Sequence, residues 1–202
     1  MAAHSSVHSG PATRARVLDE AISLFIEMGF TRAPMSEIAS RLGITKAALY
    51  YYFASKDDLL IALVSPLLDR IDELLAEIAE AGVNDDLARR QLMTRYAALL
   101  RSDMRVVGII SRDVNVSSHP EIAPRTAAHV ASLIELLAGP DADAERMARA
   151  SAAMTVVQRG LFVIPGEPAL LRSMPRDARI ELVLQIAFSI VESSNADNEC
   201  VN

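Results

Sequence analysis

A segment without acidic residues occupies positions 43–53 and reads GITKAALYYYF. Gly43 can adopt the positive φ that a tight turn requires, and Thr45 is a favoured N-cap for a helix that follows the turn. Upstream, Pro34 suits the first turn of another short helix, because its missing N–H would have no helical partner there. The two short helices and the turn between them predict a helix-turn-helix over about residues 34–53.

A helical projection sorts the side chains that follow Thr45 onto two faces. At 100° per residue, Leu49 and Phe53 point toward a core, whereas Ala47 and Tyr51 point to the opposite side. A small residue followed one turn later by an aromatic one suits close approach to base edges, and flanking tyrosine hydroxyls and lysines suit phosphates. The exposed face of this helix therefore predicts contact with the major groove of DNA.

Charge is unevenly distributed along the 202-residue chain, whose formal net charge is −6. Residues 1–60 hold six basic and six acidic side chains, so the whole deficit lies in residues 61–202. Both lysines of the chain and three of its four tyrosines lie between positions 43 and 56, where there is no acid. A neutral domain with such an acid-free face remains compatible with phosphate binding.

Helical periodicity dominates the remaining sequence, and neither sustained alternation nor a hairpin signal is present. We predict an all-α protein with a three-helix helix-turn-helix domain and a larger helical ligand-binding and dimerisation domain. The domains are expected at residues 1–10 (disordered arm), 11–71 (DNA binding), 72–194 (ligand binding and dimerisation) and 195–202 (flexible tail). About nine helices are predicted, over residues 12–28, 34–42, 46–53, 56–81, 85–101, 104–117, 121–137, 141–164 and 176–194.

The composition excludes several classes of protein. Apolar residues make up 51% of the chain, which is enough for a sizeable core, and Cys200 is the single cysteine, which fits a reducing compartment. No apolar run approaches the roughly 20 residues that span a bilayer, and the N-terminus has no apolar segment typical of a signal peptide. We therefore expect a cytoplasmic protein without a membrane partner.

No sequence pattern indicates an enzyme, a metal site or a cofactor. His119 and His129 match no short metal-ligand motif, and no glycine-rich phosphate loop or Gly-x-Ser-x-Gly motif is present. The carboxylates Asp141, Asp143 and Glu145 lie at a predicted helix start, where capping explains them. The remaining alternative to a ligand-responsive regulator is a DNA-binding protein that answers to a protein partner or to no ligand. An enclosed apolar cavity would favour the ligand-responsive regulator, and a filled interior would favour the protein that answers to a partner or to no ligand.

Taken together, the N-terminal motifs resemble the TetR family of transcriptional regulators over roughly residues 11–71. The resemblance rests on Phe25, Gly29-Phe30, Ile38-Ala39, the whole of 43–53, and Lys56-Asp57-Asp58-Leu59. Two positions depart from the family pattern: Pro34 replaces a common Thr or Ser, and Tyr52 replaces a frequent His.

The resemblance implies DNA contacts position by position. Thr45 and Lys46 would bind phosphate or a base edge, while Ala47 and Tyr51 would face the major groove. The remaining expected contacts are to the DNA backbone, from Tyr50, Tyr52 and Lys56. The family further implies a regulator, commonly a repressor, that a small molecule releases from its operator.

The last two predicted helices are apolar on more than one face. A helix with one side exposed to solvent needs only one apolar face. The simplest account is a core stripe plus a subunit interface, giving a four-helix contact between two copies of the chain. A monomer with fully buried helices is the alternative. Two copies would read two half-sites of a pseudo-palindromic operator. The residues expected at the interface are Ala153, Val156, Gly160, Val183, Ile186, Ala187 and Ile190.

The middle helices supply candidates for a ligand pocket, because their apolar side chains recur at helical spacing and methionines adapt to varied ligands. Plain core is the alternative for every one of these positions. The expected ligand is small and largely apolar. The candidate pocket residues are Met93, Tyr96, Leu100, Met104, Val107, Ile110, Ser111, Val114, Met154 and Gln158, and His129 could add a polar group.

Overall fold

The computed structural model describes residues 10–83, 85–161 and 167–192. Across these ranges it contains helices and no strand, so the all-α prediction is confirmed. The helices are α1 (Gly10–Met28), α2 (Met35–Leu42), α3 (Lys46–Tyr52), α4 (Lys56–Ala81), α5 (Asp86–Ser102), α6 (Met104–Arg112), α7 (Val114–Ser117), α8 (Ala123–Ala138), α9 (Ala144–Gly160), α10 (Ala169–Arg172) and α11 (Arg176–Glu192). None of them is long and apolar enough to cross a membrane.

The chain folds into two compact units. Unit 1 combines Met1–Leu68 with Asp103–Pro124, and unit 2 combines Asp69–Ser102 with Arg125–Asn202. The helices α6 and α7 therefore lie with the N-terminal helices, although the sequence had placed them in the second domain. Helix α6 joins unit 1 because it packs on α1 and buries Val106, Val107 and Ile109.

Apolar side chains from each helix of unit 1 meet in a small core. Phe25 of α1 packs edge-on against Phe30, with their ring centroids 5.2 Å apart. Burying such side chains stabilises the unit by about 1.5–3 kcal/mol each, and this fixes α2 and α3 against α1 and α4. The fully or almost fully buried residues include Val17, Leu24, Phe25, Ile38, Leu49, Leu59, Leu60 and Val116.

Several helix boundaries differ from the predicted ones. A single helix over 104–117 was wrong, because Asp113 leaves helical geometry (φ −106°, ψ 110°) and caps the separate one-turn helix α7 through the Asn115 N–H. Helix α8 begins at Ala123, two residues later than predicted. Helix α10 is an additional single turn, so eleven helices replace the nine expected over the described residues. Of the predicted arm at 1–10, Gly10 is described and begins α1. The rest of the arm, the tail at 195–202 and the predicted end of the 141–164 helix lie outside the described residues.

Unit 2 is organised by the close packing of α9 against α11. A Cβ atom added to Gly160 would lie 2.6 Å from Cγ2 of Val183, so the glycine permits the two helices to approach. Ala153 and Ala187 are both fully buried. Small side chains on each helix therefore serve the interior of one chain.

Candidate nucleic-acid interface

The turn between α2 and α3 has the geometry that its sequence predicts. Gly43 lies in the left-handed region at φ 66°, ψ 28°, where a residue with a Cβ would be strained. The Gly43 N–H donates to the Ser40 carbonyl at 3.1 Å, and the Ile44 N–H donates to the Ala39 carbonyl at 3.0 Å. These bonds satisfy the last carbonyls of α2 and set the direction in which α3 leaves the turn.

Thr45 caps α3 as predicted, because its side-chain oxygen accepts the Ala48 N–H at 3.1 Å. The helix is seven residues long and buries Leu49 completely, while the Phe53 that follows it is 4% exposed. This pair anchors α3 to the core of unit 1, so the opposite side of the helix is left outside.

The exposed surface of α3 and its N-cap includes Thr45, Lys46, Ala47, Tyr50 and Tyr51, which we call the reading face. All five residues are exposed, and Tyr51 is 84% exposed. An aromatic side chain exposed to this degree contributes little to the fold that supports it.

Two aromatic contacts arrange the edges of the reading face. The Lys46 ammonium lies 5.8 Å from the centroid of the Tyr50 ring. Half-buried Tyr52 packs edge-on against Tyr51 with a centroid separation of 5.4 Å. Tyr52 therefore lies partly behind the face and orients Tyr51.

Three of the four acidic residues of α1 and α2 are bound to one arginine, and the fourth, Asp19, is bound to Arg105. Arg41 binds Glu27 at 2.9 Å, Glu37 at 3.1 Å and Glu20 at 3.4 Å. The hydrogen bond with Glu27 is the main cause that raises the pKa of Arg41 above its ordinary value. Arg41 is thus bound to three carboxylates. The reading face contains no acidic residue, and its charged side chain is that of Lys46.

Lys56 has a different role from the one inferred for it. Its ammonium donates to the carbonyls of Phe30 and Thr31, both at 2.9 Å, and to that of Ala33 at 3.3 Å. It also lies 4.7 Å from the centroid of the Phe30 ring. An ammonium has three hydrogens, so these carbonyls engage all of them. We therefore withdraw Lys56 from the set of expected phosphate contacts and regard it as a clamp on the turn after α1.

Arg14 of α1 lies at the C-terminal end of α3. Its guanidinium carbon is 5.0 Å from the centroid of the Phe53 ring, and Phe53 is the C-cap of α3. On the sequence alone, Arg14 is equally compatible with a DNA-backbone contact and with solvation, and nothing local indicates its long-range contact with Phe53.

The ten candidate pocket residues divide between the two units. Tyr96 of α5 and Gln158 of α9 do meet in unit 2: burial raises the pKa of the Tyr96 hydroxyl, and a hydrogen bond with Gln158 partly opposes this. Buried Met93, Leu100 and Met154 also belong to unit 2. The other five belong to unit 1, and they are Met104, Val107, Ile110, Ser111 and Val114.

Two findings correct the pocket interpretation further. Val114 is 71% exposed and Ser111 is exposed as well, so neither lies in an interior. Unit 2 has open grooves of about 300 Å³ beside α5 and α11 and about 590 Å³ between α4 and α8, and other residues line both. His129 is 4% exposed, with Nε2 2.5 Å from a carboxylate oxygen of Asp72, so a protein group already satisfies it.

The seven candidate interface residues also divide into two groups. Ala153, Ala187 and Val183 are buried within a single chain, and Gly160 packs against Val183. These four form the α9–α11 contact of one chain, contrary to their assignment to a subunit interface. Ile186 is 44% exposed, and Val156 and Ile190 are half-buried.

Asp113 and Arg105 were missed as structural residues. Asp113 accepts the backbone N–H of Phe30 at 2.6 Å, while Arg105 binds the Asp19 carboxylate at 2.5 Å and the Ser23 hydroxyl at 2.6 Å. Their partners are more than 80 positions away, so periodicity and motif spacing carry no signal for them. Together they hold α6 and α7 on α1.

Comparison with known proteins finds one family model that is similar to the N-terminal helices. Residues 17–63 match the family model described as "Bacterial regulatory proteins, tetR family". The chain is 31% identical over 96 residues to the HTH-type transcriptional regulator BetI of Rhizobium meliloti, covering 47% of this chain and 43% of that protein. It is 32% identical over 74 residues to the HTH-type transcriptional regulator TtgR of Pseudomonas putida, covering 37% of this chain and 33% of that protein. The matches thus span less than half the length of these curated relatives.

Solved structures show the same fold over nearly the whole chain. Mycobacterium smegmatis AmtR aligns with a TM-score of 0.66 at 20% identity, covering 97% of this chain and 98% of that one. The ketosteroid transcriptional regulator KstR2 of Mycobacterium tuberculosis aligns with a TM-score of 0.63 at 18% identity, covering 90% and 94%. The relatives named here are regulators, and none is named as an enzyme. The helix-turn-helix segment thus matches the TetR family of bacterial regulatory proteins over residues 17–63, and the fold of the chain is similar to that of the solved regulators.

Proposed function

We propose that this protein is a sequence-specific DNA-binding transcriptional regulator whose helix α3 enters the major groove. The observation that carries the proposal is the reading face, which is acid-free and exposed on a helix whose other side is anchored by buried Leu49 and Phe53. A preorganised helix binds without first losing the entropy of folding. The match of residues 17–63 to the family model of bacterial regulatory proteins supports the same activity.

The individual contacts follow from chemistry and position. Ala47 lets the backbone of α3 approach the base edges closely, and Tyr51 presents a ring and a hydroxyl one turn further along. Lys46 and Thr45 at the N-terminal end of α3, and Tyr50 and Tyr52 at its flanks, bind the phosphate backbone. Base contacts set the sequence preference, while the phosphate contacts supply most of the affinity.

A homodimer reads two half-sites. Ile186 of α11 is 44% exposed, and Ile190 lies one turn further along the same helix. This apolar edge is the part of the originally assigned interface that remains available for a second copy. Two identical domains related by a two-fold axis fit a pseudo-palindromic operator with half-sites one DNA turn, about 34–36 Å, or a multiple of it apart.

Repression relieved by a small, largely apolar effector is the proposed mode of regulation. Buried Tyr96 and half-buried Gln158 supply a hydroxyl and an amide, a combination with apolar surroundings that is typical of ligand sites. The apolar side chains are those of Met93, Leu100 and Met154. An effector releases DNA only if it binds the DNA-incompetent arrangement more tightly than the competent one. The alternative of a regulator without a ligand predicts that no small molecule shifts the melting temperature.

The proposal is tested by fluorescence anisotropy with DNA from the protein's own promoter region. Tyr51→Ala and Lys46→Ala are expected to weaken binding about 10- to 100-fold, corresponding to about 1–3 kcal/mol, without changing the melting temperature. Leu87→Ala is the control for an exposed apolar side chain, and Arg159→Ala is the control for an exposed charge; both lie in unit 2 and should bind like the original protein. An absence of salt-sensitive DNA binding by the unaltered protein would overturn the proposal.

A further inference from the structure

Arg14 is held in place by an aromatic ring. Its guanidinium carbon lies 5.0 Å from the centroid of the Phe53 ring. Phe53 is the C-cap of α3 and is 4% exposed. Guanidinium groups stack favourably on aromatic faces, so the contact fixes a long and otherwise mobile side chain at the end of α3.

Arg14 is also free of carboxylates over the part of the chain that the structure describes. It takes part in no ion pair and no hydrogen bond there, and its side chain is exposed. Other arginines of unit 1 are engaged: Arg41 binds three glutamates, and Arg105 binds Asp19. No acidic residue occurs in the sequence before Asp19. Before Asp19, the charged side chains of the chain are thus the arginines at positions 14 and 16.

Stacking leaves the hydrogen-bonding capacity of the guanidinium unused. Its five N–H donors lie in the plane of the group, whereas the Phe53 ring contacts only one face of that plane. A planar fork of this kind matches the geometry of phosphate oxygens. Arg14 thus presents preorganised donors at the C-terminal end of α3.

The position relative to the reading face is suitable for the DNA backbone. At 1.5 Å per residue, Phe53 lies about 3 Å further along the axis of α3 than Tyr51. A major groove is about 12 Å wide, so a helix inserted in it has phosphate chains on both sides. A guanidinium beside the last turn of that helix comes within reach of one of these chains.

We propose that Arg14 is a further DNA-binding residue, which donates hydrogen bonds to a backbone phosphate from its platform on Phe53. The inference rests on the proposed function and adds a contact from α1 to those of α3. Because phosphates carry no sequence information, Arg14 contributes to affinity and to salt dependence, and it does so equally on specific and unrelated DNA.

The test compares Arg14→Met with Arg16→Met. Both substitutions remove one positive charge from an exposed position of α1, but the two positions are 200° apart around the helix, and Arg16 has no contact with α3 among those described. Methionine keeps an apolar side chain over Phe53, which preserves the cover of its ring. Binding is measured by anisotropy on a fluorescein-labelled duplex of random sequence, between about 50 and 200 mM salt.

The expected result is a salt dependence shallower by about 0.9 in the slope of log K against log[salt] for Arg14→Met, as for the loss of one phosphate contact. Arg16→Met should keep the original slope, and Arg14→Lys should restore the slope while leaving affinity several-fold below the original. An unchanged slope for Arg14→Met, or equal losses for the two methionine variants, would overturn the inference. If Arg14→Met lowers the melting temperature but leaves the slope intact, Arg14 is structural and the inference also fails. A failure of the unaltered protein to bind DNA would instead reject the proposed function.

Discussion

The carboxylate of Asp113 accepts the backbone N–H of Phe30 at 2.6 Å, although the two residues are 83 positions apart. Phe30 follows Gly29, which adopts φ 80° at the end of α1. The carbonyls of the same turn bind the Lys56 ammonium. The Asp113 carboxylate therefore binds a backbone N–H of this turn, and the Lys56 ammonium binds its carbonyls. The turn leads into the helix-turn-helix.

The bond makes the stability of unit 1 dependent on pH. Desolvation raises the pKa of Asp113, but hydrogen bonds from Phe30 and from Asn115 outweigh it, so the pKa lies below its ordinary value of 3.8. A carboxylate with a depressed pKa stabilises the fold above the unfolded-state pKa, and this contribution is lost as pH falls through the folded-state pKa.

Asp113→Ala is accordingly expected to lower the free energy of unfolding by about 1–3 kcal/mol at neutral pH. Urea unfolding across a pH series should show the variant and the original protein converging below the ordinary pKa of 3.8. Asp113→Asn keeps an acceptor without the charge and should lose less. A deficit that stays constant down to low pH would contradict a role for the ionised carboxylate.

Replacement of two glycines should have opposite effects. Gly160→Ala places a Cβ 2.6 Å from Val183 Cγ2, whereas a Cβ on Gly108 of α6 meets nothing within 4 Å. We expect Gly160→Ala to destabilise the protein by about 1–3 kcal/mol through overpacking. Gly108→Ala should stabilise it by about 0.4–1 kcal/mol, because alanine favours a helix and restricts the unfolded chain. Thermal unfolding measures both.

The double variant Gly160→Ala/Val183→Ala is the control for the steric explanation. Removing both Cγ atoms of Val183 makes room for the new methyl group. The double variant should therefore lose less stability than the sum of the two single losses. Simple additivity would indicate that Gly160 matters for a reason other than its contact with Val183.

Replacement of each lysine distinguishes a clamp from a surface charge. Lys56→Met removes the donor to three carbonyls of the turn after α1, so it should lower the free energy of unfolding by about 1–3 kcal/mol. Lys46→Met removes an exposed charge and should leave stability within about 0.5 kcal/mol. Chemical denaturation checks this, and equal stability of the two variants would be inconsistent with the clamp.

Loss of the α3 cap should be repaired by a second hydroxyl. Thr45→Ala removes the acceptor for the Ala48 N–H and should lower the free energy of unfolding by about 1 kcal/mol. Thr45→Ser keeps the acceptor and should retain most of the stability. The same urea titration compares both variants, and a serine variant as unstable as the alanine one would argue against capping.

The sequence predicts those features whose cause is local. Gly43, Thr45 and Leu49 determine the turn, the cap and the buried side of α3 within seven positions, and the structure has all three. Lys56 was misread because its partners are backbone carbonyls about 25 positions earlier, and a carbonyl has no signature in the sequence.

Patterns of apolar and small residues leave their partner undefined. Ala153 of α9 and Ala187 of α11 each lie in a row of apolar residues at helical spacing. Such a row looks the same in the sequence whether the helix that packs on it belongs to the same chain or to another. The structure shows that both are buried within one chain. Likewise, Val107 and Met93 share an apolar periodicity but lie in different units, because periodicity gives the buried side of a helix and not what it packs against.

The engagement of Lys56 gives the chain an unusual chemical property. The sequence has two lysines, and the amine of Lys56 is bound to three carbonyls whereas that of Lys46 is exposed. Acylation requires an accessible, unprotonated amine, so a mild amine-reactive dye will modify the side chain of Lys46 in preference to that of Lys56. Of the two lysine side chains, the folded protein thus offers Lys46 as the accessible attachment point for a fluorophore on α3, and the α-amino group is the competing amine.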